Sequence, residues 1–565
     1  MKRRSSPNVP AASSGAVSSS ALGSNNAGEF RKMNMSTLRT WALVGLLTAA
    51  LPATALAQTE ARTPYRQTPA VLARLVDVPI AMDAPGLAAD RTEFTSQVEM
   101  EAHLRGLKAR APGLYLGALG QTAEGRDLPW LVFTAEGLQD LSAVRRLNRP
   151  IIWLVGQQHG NEPSGGEAML ALASALADGE LTPLLDRITV VVVPRMNPDG
   201  AAAFTRRTSL DFDLNRDHLL ATLPESRGVQ AAMVLLPPDL VVDAHEYGAA
   251  GPLQRFGRLN EADQTILDAT HPGVPAGVTR LARTTYLPAM EAQLRDAGLS
   301  SSVYLSGMPA TGPLVTGGTS PGISRNYYGL TGAVSFLLES RNGGGREAFQ
   351  RRVASHYLAA RGLLQAAAAD GPRLRRTVAA ARRSMAGSRA PLAVAYEPPV
   401  QPFVLPLMDA ETGAPSTVAT ELRDSRQLRV TETRRRPRGY LLAPEARSAI
   451  EALEIKGIHL CAAVPQTLAT EAFHVTRTEP ITRQTREAST LTEALQVRLE
   501  ARDLAVGEGW IWVPMNQAGS SVIAASLEPD SVGSHIHVGL VPVAEDGTAP
   551  VYRVVRTTPR TTGPC

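Results

Sequence analysis

An α/β fold, built on a mixed and mostly parallel sheet with helices on both faces, is what the sequence predicts for most of the chain. One sign is a set of wholly apolar runs, "PIIWLV" (150–155), "RITVVVVP" (187–194), "DLVVDA" (239–244) and "GAVSFLL" (332–338). Strands without polar alternation are buried on both faces, as in parallel sheets. A second sign is the helical patterning between and after them, at 164–177, 279–297 and 346–369, which βαβ connections require. From about residue 395 the texture changes. Short alternating segments such as "GYLLAP", "GIHLCAAV", "GWIWVP" and "SHIHVGLVPV" lie between turn residues, and they predict a β-rich C-terminal domain.

Taken in order, residues 1–57 read as a leader. Arg31, Lys32 and Arg39 precede the apolar run Trp41–Leu51, and "ALA" closes it. That is the layout of a secretory signal peptide, cleaved after Ala57, with Met33 or Met35 as the expected start. The run is too short for a membrane span, and the mature chain has no other, so an exported protein without a span is expected, periplasmic or secreted. The leader carries six Lys/Arg and one Asp/Glu out of a whole-chain charge of +4, which leaves the mature part near −1. No basic patch argues for nucleic acid. Residues 58–91 form an irregular, proline-bearing segment. The expected catalytic domain spans 92–372. It opens with a helix over 94–112 (Val98, Leu104, Leu107) and a hairpin around "GQTAEGRDL". The stretches 251–278 and 307–325 read as surface loops. Residues 373–394, "RLRRTVAAARRSMAGSR" and its flank, read as a basic solvated helix or linker, and 395–565 as the accessory domain. Cys461 and Cys565 could pair in an oxidising compartment, or the C-terminal Cys565 could stay free.

The chemistry gathers at strand ends. In "VGQQHGNEPSGGEAML", His159 and Glu162 stand three apart in a loop at the carboxyl end of a buried strand, where open α/β sheets bind ligands. His245, in "VVDAHEYG", sits just past the end of another. Two imidazoles and a carboxylate suit a catalytic zinc, which keeps a fourth position open. Arg206, Arg207, Asn215 and Arg216 lie between the two sites, and arginine forks grip carboxylates. Glu339, in "FLLESR", follows an apolar strand as a carboxylate able to take a proton. A lone HxxE recurs by chance, and a histidine at a strand end is often a satisfied polar group.

"HGNE", "NPDG", "DLNR", "DAHEYG" and "FLLES", in this order, resemble the M14 zinc metallocarboxypeptidase family over roughly 92–370. The resemblance implies one Zn2+ per catalytic domain, bound by His159, Glu162 and His245. It implies Glu339 as base and proton shuttle, Arg206 on the scissile carbonyl, and Asp213 orienting His159. Asn215 and Arg216 would hold the terminal carboxylate of a peptide, with Arg325 as a further substrate contact. Asn161 stands where the family often has Arg, and the mobile tyrosine falls to Tyr304, Tyr327 or Tyr328. "HGNE" and "DLNR" also resemble the succinylglutamate desuccinylase and aspartoacylase branch, whose implied substrates are N-acyl amino acids. An amidohydrolase of that type or one acting on cell-wall peptides is therefore an alternative, as is a non-catalytic binding protein. "WVPMNQAGSSVIAASLEPDS" resembles the tails of secreted bacterial members. His535 and His537 could share a metal but lack a third ligand. His218 reads as a cap or a solvated side chain, Asp199 as a turn former, and Asp243 and Glu246 as groups that either orient His245 from behind or only lend polar support.

Overall fold

This computed structural model describes residues 66–138, 140–251, 253, 257–307, 312–477, 495–563 and 565. The leader over 1–57 lies outside them. Eleven strands precede residue 343: β1 (Tyr115–Gln121), β2 (Asp127–Phe133), β3 (Ile151–Gly156), β4 (Thr189–Val193), β5 (Leu240–Gly248), β6 (Arg258–Asn260), β7 (Gln264–Asp268), β8 (Ser301–Val303), β9 (Leu305–Gly307), β10 (Leu314–Thr316) and β11 (Val334–Asn342). Eight of them form one sheet in the order β1-β2-β4-β3-β5-β11-β7-β8. The central run β4-β3-β5-β11 is parallel throughout. The hairpin β1–β2 is antiparallel, as are its join to β4 and the β11–β7 pair.

Side-chain alternation along each strand sends its residues to two cores. Ile152, Leu154, Val190, Val192, Val242 and Ala244 pack under the helices Pro163–Asp178 and Phe349–Ala369. Trp153, Val155, Val191, Val193 and Val241 pack under the helices Pro224–Leu235 and Ser324–Leu330. The helix Gln97–Arg110 starts at a capping box, in which Ser96 and Glu99 satisfy each other's backbone N–H.

Three expectations need correcting. Residues 251–278 are not simply a surface loop, because they supply β6 and β7. "QTILD" reads as polar, yet Gln264 and Asp268 are buried: Ser355 donates to Gln264 at 2.9 Å, and Arg283 pairs with Asp268 at 2.8 Å. The loop 307–325 likewise contains β10 and the first turn of Ser324–Leu330. Residues 373–394 are not a linker. The helix Gly371–Gly387 buries Leu374, Val378 and Ala381 in the main core, an i, i+4, i+7 stripe hidden among arginines.

The C-terminal part is β-rich, but it splits. β12 (Leu392–Glu397) is followed by a long hairpin of β13 (Val400–Asp409) and β14 (Pro415–Arg423). This hairpin is hydrogen-bonded to β6 on one side and β10 on the other, so it extends the loops of the first domain. β15 (Arg429–Arg434) pairs with β12. The remaining strands, β16 (Gly439–Leu442), β17 (Cys461–Ala462), β18 (Gln466–Arg477), β19 (Leu495–Val506), β20 (Ile511–Pro514) and β21 (Thr548–Val554), form an antiparallel sheet ordered β17-β20-β16-β21-β18-β19. The Cys461–Cys565 disulfide ties the chain end to it. No helix among the described residues is long and apolar enough to cross a membrane.

The helix Pro224–Leu235 buries Glu225, 1 % exposed, with both carboxylate oxygens unpartnered. Burial, aided by repulsion from Asp199 and Asp217, pushes this carboxyl from 4.5 up to about 7. The fold therefore favours the protonated form. That stability is fully present below the unfolded value and is lost as pH rises through 7. Glu225→Gln is expected to raise Tm at pH 8 and to flatten its fall between pH 5 and 8, an effect on the order of 3 kcal/mol. Thermal melts across that range measure it, and an unchanged slope counts against the assignment.

Candidate metal and active site

At the carboxyl ends of β3, β5 and β11 three groups meet. His159 Nδ1 lies 2.8 Å from a Glu162 carboxylate oxygen, His245 Nδ1 lies 3.0 Å from the same oxygen, and the two nitrogens are 2.9 Å apart. All three residues are buried. The far side of each ring explains the arrangement. His159 Nε2 is 3.2 Å from Asp213, and His245 Nε2 is 2.7 Å from Asp243. A carboxylate behind each ring holds the proton on Nε2 and turns the Nδ1 lone pair inward. Three acceptors pressed together this way repel unless a cation or protons lie between them. The donor set, two imidazoles and one carboxylate, fits a zinc ion with an open fourth position.

Local structure delivers each group. Gln157, with φ 48°, turns the chain out of β3. Glu162 precedes the helix Pro163–Asp178, and its side chain makes no cap hydrogen bond, which leaves it to the site. His245 lies within β5, which runs on to Gly248, and Glu339 lies within β11 rather than past its end. Both strands were expected to stop earlier, because His and Glu interrupt the apolar runs. Alternation then assigns faces. Asp243 and His245 point to one side of the sheet. Glu246 points to the other, where it pairs with the buried Arg352 and accepts from Ser164 N at 2.8 Å. Glu339 is the parallel-strand partner of His245, so the two side chains share a face about 4.8 Å apart between strands.

A cavity of about 380 Å3 opens here, lined by His159, Glu162, Arg206, Asn215, Arg216, Tyr304, Arg325 and Glu339 among others. Arg206 donates to Glu162 at 3.2 Å and to Asp213 at 3.0 Å. Burial would raise the Asp213 carboxyl, but His159, Arg216 and Arg206 outweigh it and hold the group well below its usual range. Burial pushes the Glu339 carboxyl up to about 8, with repulsion from Glu162 adding to the rise and His245 opposing it. Among the described residues no ion pair holds Glu339. Asn215 lines the cavity, but its amide oxygen is engaged. Its oxygen accepts from Ser324 N at 2.8 Å, while its nitrogen, 3.2 Å from the protonated His245 Nε2, finds no acceptor there. Arg216 donates to the Asn215 carbonyl at 2.7 Å.

Several contributors were not legible as such. Gln158 donates to Asp243 at 2.8 Å and is itself 2.8 Å from His218 Nε2, and the Tyr328 hydroxyl is 3.2 Å from His218 Nδ1. Burial pushes His218 down to about 4, so the ring is neutral and joins this chain as donor and acceptor. His218 thus belongs to the site's support rather than to a cap. Tyr327 and Tyr328 are buried in the core, which leaves Tyr304, of the three, as the tyrosine at the cavity. Asp199 is more than a turn former. It accepts from Thr122 at 2.6 Å, Glu124 N at 3.1 Å and Arg126 at 2.7 Å, clipping the β1–β2 turn to "NPDG". His535 and His537 are buried, and among the described residues no third metal ligand joins them.

The family model for zinc carboxypeptidase, Peptidase M14, matches residues 100–227. Carboxypeptidase 2 of Trichophyton rubrum is 27 % identical over 472 residues, covering 81 % of this chain and 86 % of that protein. Carboxypeptidase E of Caenorhabditis elegans is 30 % identical over 143 residues, 22 % of this chain and 29 % of that one. A metallo-carboxypeptidase from Pseudomonas aeruginosa superposes with a TM-score of 0.37 at 20 % identity, over 50 % of this chain and 70 % of that one. The family model is seated on the strand, loop and helix that supply His159 and Glu162, and the chain is similar to zinc carboxypeptidases there.

Proposed function

We propose that this protein is an exopeptidase that removes the C-terminal residue from peptides, with one Zn2+ held by His159, Glu162 and His245. The observation that carries the reading is the mutual approach of the two Nδ1 atoms and the Glu162 carboxylate, each ring backed by a buried carboxylate, with Glu339 beside them. Bound zinc supplies Lewis acidity and an acidified water. Glu339 accepts the water proton and returns it to the leaving amine. Arg206, held by Asp213 and Glu162, presents its remaining donors to the developing oxyanion. Arg216 attracts the terminal carboxylate, and Asn215, its oxygen anchored by Ser324 N, lies beside it on the same turn. The disulfide at the chain end supports export to an oxidising compartment.

Peptides with free and amidated C-termini, compared with N-acyl amino acids, test the reading. Single residues released from free ends only, with loss of activity in a chelator and recovery on adding zinc, are expected. Hydrolysis confined to N-acyl amino acids would assign the chain to the desuccinylase type of chemistry instead.

A further inference from the structure

Arg325 is the least explained charge in the cavity. It is 1 % exposed, it lies in the first turn of the helix Ser324–Leu330, and it lines the same space as Glu339 and Arg216. Its Nη2 donates to the Gly318 carbonyl and, at 3.4 Å, to Thr270 Oγ1, while its Nε has no hydrogen-bond partner. Among the described residues no carboxylate forms an ion pair with it. Of the acids that attract it, Asp268 is already held by Arg283 at 2.8 Å, and Glu339 is the proposed base and makes no ion pair with it. Burial pushes the guanidinium down to about 10, so it stays charged at neutral pH.

The surroundings keep one edge of this fork fixed. A Cβ on Gly317 would lie 2.7 Å from Arg325 Nη2 and 2.6 Å from Leu267 Cδ2, so a larger residue there would displace the ends of both side chains. The rest of the wall around it includes Thr265, Tyr304 and Leu337. Arg216 and Arg325 also repel each other, whereas Arg206 is neutralised by Asp213 and Glu162. Three guanidinium groups thus line one cavity, and among the described residues no carboxylate pairs with Arg325. A buried, uncompensated charge is costly, and guanidinium forks bind carboxylates in two-pronged fashion.

Building on the exopeptidase reading, we infer that the substrate supplies the missing anion: the cavity selects a C-terminal aspartate or glutamate, its α-carboxylate drawn to Arg216 and its side-chain carboxylate to Arg325. Tyr304 and Leu337 then pack the short methylene stem.

Benzoyl-glycyl dipeptides ending in Glu, Asp, Gln, Leu or Lys, assayed for kcat/KM, provide the test. Glu and Gln share a shape and differ in charge, so their ratio reads the guanidinium directly. The wild-type protein is expected to prefer Glu over Gln by about 100-fold or more, since a site built for a polar group rejects the analogue lacking it. Arg325→Met is expected to bring that ratio close to one. If the variant fails to fold, the wild-type ratio still decides, and Arg325→Lys, which keeps a charge without the fork, should lower but not abolish it. Wild-type protein that releases Gln or Leu as fast as Glu overturns this inference and leaves the carboxypeptidase reading intact. A retained Glu preference in Arg325→Met overturns the role of Arg325. No residue released from any free C-terminus would instead remove the exopeptidase reading itself.

Discussion

Glu339→Gln lowers kcat/KM for release of a C-terminal residue by about 1,000-fold, within the range for loss of a positioned general base, and leaves zinc content unchanged. The amide matches the carboxylate in shape, and Glu339 is not among the three converging ligands, so neither β11 nor the metal site is disturbed. What disappears is the buried carboxylate that takes the proton and returns it. Glu339 is suited to that work because it is buried beside His245 with no ion pair of its own. Burial raises its pKa, and a base acts only when deprotonated. Wild-type kcat/KM should therefore climb with pH through the Glu339 titration, which a neighbouring divalent cation moves below the value of about 8 set by burial and Glu162. The variant lacks that acidic limb. Steady-state kinetics from pH 5 to 9, alongside metal analysis, measure both. Full turnover in the variant would show that another residue is the base.

Gly160→Ala is expected to be the most damaging conservative change in the molecule. A methyl group at this position would sit 1.9 Å from the Gly200 carbonyl carbon and 2.2 Å from Ala201 N. Those are backbone atoms, with no rotamer to change. Relief requires the 157–162 loop to lift off the helix Pro198–Ala202, which breaks Asn161 N to Thr205 O (3.1 Å) and Asn197 N to Gln157 O (3.1 Å). His159 and Glu162 ride on that loop. Overpacking of this kind costs about 3 kcal/mol or more, and zinc binding should be lost with it. Gly387→Ala is the control, since nothing lies within 4 Å of its added Cβ. Calorimetry and zinc stoichiometry on both variants give the comparison. A well-folded, zinc-loaded Gly160→Ala would mean that the two loops are not packed as described.

The glycine result shows where sequence reading stops. "HGNE" and "NPDG" were both visible as motifs, but nothing in either string says that one glycine is pressed against the other. The same holds for Asp199, whose partners Thr122 and Arg126 lie more than 70 residues away. Strand β7 was missed because its residues are polar. They are buried only because Arg283 and Ser355 arrive from distant helices. The helix Gly371–Gly387 reads in sequence as a solvated helix or linker because its arginines outweigh a narrow apolar stripe in composition, though not in packing.

The central strands and the helices flanking them, and His159, Glu162, His245 and Glu339 as candidates at strand ends, could be read from the chain, whereas Asp213 entered only through the family resemblance. They depend on local periodicity and on what each side chain can ligate or protonate, and both are properties of short segments. Which ring nitrogen faces inward, that the Asn215 oxygen is committed to Ser324, that hairpin 400–423 joins the first domain, and that Arg325 lies in the cavity with no ion pair among the described residues were decided only by the tertiary structure. Each is a contact or an empty valence between residues far apart in sequence, set by strand order and register, which no local pattern encodes.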